Sequence, residues 1–106
     1  MNLIDRDELK AKLDRGDDFK LVMTLTEWPF QAKHIPGSLN LANAGDVSTL
    51  LEKDDEIVVY CSDENCIGSK VAYDQLTRAG YGNVRRYAGG IADWEEHDLA
   101  LEGDWA

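Results

Sequence analysis

Apolar residues fall in short blocks separated by polar turns, and their period alternates along the chain. Asp5 to Leu13 predicts a helix, with Leu9 and Leu13 four apart and Ile4 at its entry, ended by Arg15-Gly16-Asp17-Asp18. Phe19 to Leu25 predicts a strand, and its uninterrupted Leu21-Val22-Met23 implies burial on both faces, as in a parallel sheet. Pro29 breaks regularity, and His34-Ile35-Pro36-Gly37-Ser38 reads as a turn into a short strand at Leu39-Asn40-Leu41. Asp46 is placed to cap a helix carrying Val47, Leu50 and Leu51, which ends at Lys53-Asp54-Asp55. Ile57 to Tyr60 is the clearest strand, all apolar and mostly β-branched or aromatic. Beyond it Val71, Ala72, Leu76 and Ala79 have helical spacing, with Ser69 as N-cap and Gly80 as terminating glycine. Asn83 to Tyr87 is the next strand, Gly89-Gly90 a turn, and Ile91 to His97 a last helix with Ile91 and Trp94 on one side. Strands alternating with helices predict an α/β fold with a mainly parallel sheet. No repeat or linker interrupts the pattern, so residues 1–106 read as a single domain.

Composition narrows the function classes. The 106 residues are 43% hydrophobic and 30% charged, enough for one core and one site. Eleven basic residues stand against 21 acidic ones, a net charge of -10, which argues against nucleic acid and anionic membrane surfaces as partners. Small anions also meet an opposing field unless a local site offsets it. The start Met1-Asn2-Leu3-Ile4-Asp5-Arg6-Asp7 lacks the basic and apolar segments of a signal peptide, and no apolar run approaches spanning length. The expectation is a cytoplasmic protein.

The candidate chemistry lies at Cys61, which closes the Ile57–Tyr60 block and precedes Ser62-Asp63-Glu64-Asn65-Cys66-Ile67-Gly68 and the helix opened by Ser69. Ligands of open α/β sheets collect beyond the carboxyl ends of the strands, where a following helix offers unpaired N–H groups and the positive end of its dipole. Both favour a thiolate, the reactive form of cysteine. A free cysteine at a strand end is also a common packing residue. Cys61 and Cys66 are too close to make an effective structural disulfide for a secreted domain, which points to redox or sulfur chemistry. His34 and His97 are remote from both, so structural zinc spacing is absent.

Three ordered stretches resemble the single-domain rhodaneses, a sulfurtransferase family: His34-Ile35-Pro36-Gly37-Ser38-Leu39-Asn40; Val58-Val59-Tyr60-Cys61 with Ser69 opening the next helix; and Gly80-Tyr81-Gly82-Asn83-Val84 leading to Tyr87-Ala88-Gly89-Gly90-Ile91-Ala92-Asp93-Trp94. The resemblance implies a rhodanese-like α/β fold with a central, mainly parallel five-stranded sheet flanked by helices. It implies a catalytic Cys61 that accepts sulfane sulfur as a persulfide and passes it to a thiol acceptor, with no metal or organic cofactor. The donor is expected to be a small persulfide or a protein. Two positions depart from the family pattern. Met23-Thr24-Leu25 stands where Asp-x-Arg is usual, so a structural charge pair is missing. The loop is two residues longer than the common form and resembles a subgroup with a second cysteine five residues after the first and a serine three further on. Asp63 and Glu64 in that loop argue against thiosulfate as donor.

Two readings are open for Cys66. It packs beside Ile67, or it resolves a Cys61 persulfide to a disulfide with release of sulfide. Ser69 reads as a cap that shapes the site indirectly, Lys70 as a solvated lysine, and His34 as a turn residue without a catalytic role. Arg85 and Arg86 point to opposite sheet faces, so one can reach the site. Trp28, Trp94 and Trp105 are expected to pack. A non-catalytic binding module with a vestigial Cys61 is the alternative function. A cysteine phosphatase or arsenate reductase is a third, against which stands the lack of any arginine between Cys61 and Ser69.

Overall fold

The computed structural model describes residues 1–41 and 47–106, with Ser48 described by its backbone alone. Among the described residues the sheet has four strands, β1 (Lys20–Met23), β2 (Leu39–Asn40), β3 (Ile57–Tyr60) and β4 (Val84–Tyr87). Their order is β2-β1-β3-β4, and every pairing is parallel. Among the described residues five helices accompany them: α1 (Arg6–Arg15), α2 (Glu27–Ala32), α3 (Val47–Leu50), α4 (Gly68–Arg78) and α5 (Gly90–Glu96). The expected α/β architecture is present. Asp46, expected to cap α3, lies outside the described residues.

The uninterrupted apolar runs of β1 and β3 follow from their central position. One core cluster joins Leu9, Leu21, Met23, Val58, Tyr60, Tyr87 and Trp94, and the other joins Val22, Ile57, Val59, Ala72, Leu76 and Val84. Alternate residues of each strand thus serve opposite clusters, and both sheet faces are covered.

Three expectations need correction. The sheet falls short of five strands among the described residues, because the N-terminal segment makes only one parallel bridge, Leu3 to Arg86. Arg86 N–H donates to the Asn2 carbonyl at 2.8 Å and Ile4 N–H to the Arg86 carbonyl at 3.0 Å. The chain then turns into α1, where the Asp5 carboxylate accepts from Glu8 N–H at 2.7 Å, so no ladder can extend. Second, Pro29 does not prevent a helix: it sits in the first turn of α2, where a backbone N–H has no intrahelical acceptor to lose. Third, Trp28 and Trp105 form an exposed edge-to-face pair with centroids 5.0 Å apart, whereas Trp94 is buried.

The turn before β2 is tied to the last residue of β3. Ile35 N–H donates to the Tyr60 hydroxyl at 3.0 Å, and Ser38 Oγ lies 2.7 Å from the same oxygen. Burial pushes the Tyr60 phenol up to about 12, against smaller opposing effects of Ser38 and Ile35. His34 Nδ1 donates to the Phe30 carbonyl at 2.8 Å and its ring stacks on Phe30, while its backbone pairs with Glu102. Among the described residues no helix is long and apolar enough to cross a membrane.

Candidate active site

Cys61 follows β3 directly and is 1% exposed. Its carbonyl accepts from Ile91 N–H at 3.1 Å and that of Ser62 from Ala92 N–H at 2.8 Å, so the start of α5 holds the loop from behind. This docking requires glycine at 90. Gly90 has φ 62°, and a Cβ there would stand 2.4 Å from the Cys61 carbonyl oxygen. Tyr87 donates to Asp93 at 2.5 Å and Arg6 approaches the same carboxylate at 3.2 Å, which fixes α5 in turn.

The loop closes on itself through Asp63. Its side chain accepts from Asn65 N–H at 2.9 Å and its carbonyl from Cys66 N–H at 3.2 Å, a turn of the kind aspartate favours. Cys66 returns to Cys61, and the two are joined in a disulfide with Cα atoms 6.2 Å apart. Cys66 is half-buried, Asp63 partly exposed, and Glu64, Ile67 and Lys70 exposed. The α4 helix begins at Gly68 after Ile67 without a side-chain cap, so its first-turn N–H groups stand at the end of the loop without an intrahelical acceptor. A Cβ on Gly68 would lie 3.3 Å from Cys61 Sγ, 3.4 Å from Thr24 Oγ1 and 3.6 Å from Cys66 Sγ. Both sulfurs therefore abut the start of this helix.

Ser69 is not the cap it was expected to be. It is the second residue of α4, and its buried Oγ accepts from Arg86 Nε at 2.7 Å. Arg86 is 4% exposed, and its Nη2 is buried without a hydrogen-bond partner among the described residues. Arg85 points the other way and grips Glu8 on α1, with Nη2 to Oε1 at 2.8 Å, which lowers the Glu8 carboxyl below its ordinary value. The two arginines thus separate across the sheet, and Arg86 is the one that reaches the base of the site. Thr24 was missed as a site residue. Its position at the carboxyl end of β1, beside β3, was the available signal.

Beside Gly68 opens a cavity of about 560 Å³ whose lining includes Thr24, Leu41, Val47, Val71 and Leu76, with no charged side chain among the described residues. The acidic loop residues Asp63 and Glu64 do not contribute to it.

Comparison with known proteins places this geometry. The model of the rhodanese-like domain matches residues 5–97. The chain belongs to the rhodanese-like domain family. A thiosulfate sulfurtransferase GlpE of Pseudoalteromonas translucida is 35% identical over 68 residues, 62% of this chain and 63% of that protein. The chain thus matches less than two thirds of the length of that relative. Among solved structures, the rhodanese-like domain of Alr3790 from Anabaena is 26% identical with a TM-score of 0.86, covering 99% of this chain and 81% of that one. The BH2092 protein of Bacillus halodurans shares the fold at a TM-score of 0.89 and 22% identity, over 98% of this chain and 78% of its own. The rhodanese-like domain here has Cys61 at the carboxyl end of the central strand β3 and a helix start against its sulfur.

Proposed function

We propose that this rhodanese-like domain is a sulfurtransferase in which Cys61 accepts a sulfane sulfur as a persulfide and gives it to a thiol acceptor. The observation that carries this reading is the packing of the Cys61 sulfur against Gly68 at the uncapped start of α4. In the reduced protein, a thiolate there gains from the helix dipole and from first-turn N–H groups. It attacks the outer sulfur of the donor, the donor's sulfur–sulfur bond breaks, and its electron pair leaves with the departing group. The carbonyls of Cys61 and Ser62 are held by α5, which fixes the backbone during the exchange.

The donor class follows from charge. A net charge of -10 and the loop carboxylates Asp63 and Glu64 oppose a dianion, whereas the described residues lining the adjoining cavity carry no charge. A small persulfide or a persulfide-bearing protein suits this surface better than thiosulfate. The need for a reduced Cys61 is met in the cytoplasm, where we place the protein. Non-catalytic binding is the second reading, favoured by one observation: Cys61 is buried and bonded to Cys66. To separate them, the protein is reduced, freed of reductant and exposed to a low-molecular-weight persulfide, and sulfur leaving the donor, whether delivered to an added thiol or released as sulfide, is measured. Turnover that disappears in Cys61→Ser supports transfer; equal turnover in both proteins, or none in the reduced wild type with any donor, contradicts it.

A further inference from the structure

Resting on the Cys61 persulfide proposed above, we infer that Cys66 is its built-in resolving thiol, making the protein a sulfide-releasing persulfide reductase that requires an external dithiol. The argument concerns which sulfur Cys66 reaches. Its Sγ is bonded to the Sγ of Cys61, the atom that becomes the inner sulfur of a Cys61 persulfide. A thiol placed on the outer sulfur would receive that sulfur. A thiolate placed on the inner sulfur expels it.

The loop is organised for the second outcome. The turn at Asp63 accepts the N–H groups of Asn65 and Cys66 and brings the second cysteine back to the end of β3. The Cys61 carbonyl is meanwhile anchored by Ile91 N–H at 3.1 Å. One cysteine is thus held from behind and the other delivered by a short turn. Gly68 has no side chain in the space next to both sulfurs and adjoins the cavity, so an outgoing sulfur has room. Attack within one loop also raises the effective thiol concentration to the order of millimolar or above, ahead of dilute external acceptors.

The steps balance. The Cys66 thiolate forms a bond to Cys61 Sγ, the bond from that Sγ to the outer sulfur breaks, and the outer sulfur departs with the electron pair as hydrosulfide. The proton lost from Cys66 goes to solvent. Hydrosulfide is a good leaving group because exchange is faster when the departing sulfur is the weaker base. The Cys61–Cys66 disulfide is then returned to two thiols by a dithiol reductant, itself oxidised to a disulfide. In sum, one persulfide and one dithiol give one thiol, one hydrogen sulfide and one disulfide.

The test is a single turnover. Reduced wild type, Cys66→Ser, Cys66→Ala and Cys61→Ser are each mixed with one equivalent of a small alkyl persulfide in the absence of free thiol, and sulfide and intact mass are followed together. Wild type is expected to liberate about one equivalent of sulfide above the Cys61→Ser background and to end two hydrogens lighter than its dithiol form. Both Cys66 variants are expected to gain one sulfur and hold it until a thiol is added. If wild type retains its added sulfur as stably as they do, Cys66 is not a resolving thiol, although Cys61 still carries persulfide. If neither Cys66 variant gains sulfur while circular dichroism shows each folded, the underlying persulfide reading fails and this inference with it.

Discussion

Two strand-to-helix junctions lie side by side at the carboxyl edge of the sheet, and they are built oppositely. After β4 the chain passes through Ala88 and Gly89 straight into α5, whose first N–H groups are taken by the carbonyls of Cys61 and Ser62. After β3 the chain spends Cys61 to Ile67 on a loop before α4, which starts without a side-chain cap. Tyr60 and Tyr87, the last residues of the two strands, are register partners, so both junctions start from the same level. The difference lies in what the helix start does. At α5 its donors are consumed in holding a backbone; at α4 they remain beside two sulfurs. A helix N-terminus becomes reactive ground only when the fold leaves its donors unspent.

Removing the nucleophile from the open junction should have the largest effect. Cys61→Ser is expected to lower sulfur transfer by about 10³-fold or more while leaving the fold intact, as checked by turnover and circular dichroism. Breaking the closed junction should instead cost stability. Gly90→Ala forces a side chain into a positive-φ site and against the Cys61 carbonyl, and should destabilise by about 2–4 kcal/mol in urea titration. Gly82→Ala, where a Cβ would meet nothing within 4 Å, should change stability by only about 0.5 kcal/mol. Equal effects of the two alanines would show that α5 docking does not depend on Gly90.

Tyr60 tests the base of the open junction without touching its sulfurs. Tyr60→Phe leaves the buried Ile35 N–H without its acceptor and should cost about 1–3 kcal/mol. The phenol also links stability to pH. Its folded value of about 12 lies above the ordinary 10.0, so the folded state keeps the proton longer than the unfolded chain. Its contribution is therefore full below pH 10 and declines as pH rises from 10 to 12, by at most about 1.4 kcal/mol per pH unit. Denaturation across that window should show a shallower decline in Tyr60→Phe than in wild type. The smallest effect is electrostatic. Asp63→Asn with Glu64→Gln should raise thiosulfate use several-fold at low salt and less at high salt, since both carboxylates stand in a screened, water-facing loop. An unchanged thiosulfate rate at low ionic strength would remove these residues from donor choice.

Much of this contrast was legible in the chain itself. Ile57–Tyr60 was readable to the residue because a strand covered on both faces must be apolar throughout. Cys61 stood out because a thiol directly after such a strand falls at the sheet's carboxyl edge. What stayed hidden depended on distant partners. Ser69 looked like a cap, yet its hydroxyl serves Arg86, seventeen residues away. Alternation set Arg85 and Arg86 on opposite faces, but which of them reaches the start of α4 depends on the helix packed there. Pro29 reads locally as a breaker, and only its place in the first turn makes α2 possible. The five-residue spacing of the cysteines allowed both packing and pairing. The turn at Asp63 brings them together, and spacing alone does not report that turn.

The most direct test of Cys61 as sulfur carrier is to locate the sulfur. Reduced Cys66→Ser protein is treated with a small alkyl persulfide, trapped with a thiol-selective alkylating reagent, digested and mapped by mass spectrometry. The account predicts one added sulfur, confined to the peptide containing Cys61 and absent from the doubly substituted Cys61→Ser, Cys66→Ser protein. A folded Cys66→Ser protein that takes up no sulfur, or a doubly substituted protein that takes up as much, would contradict it.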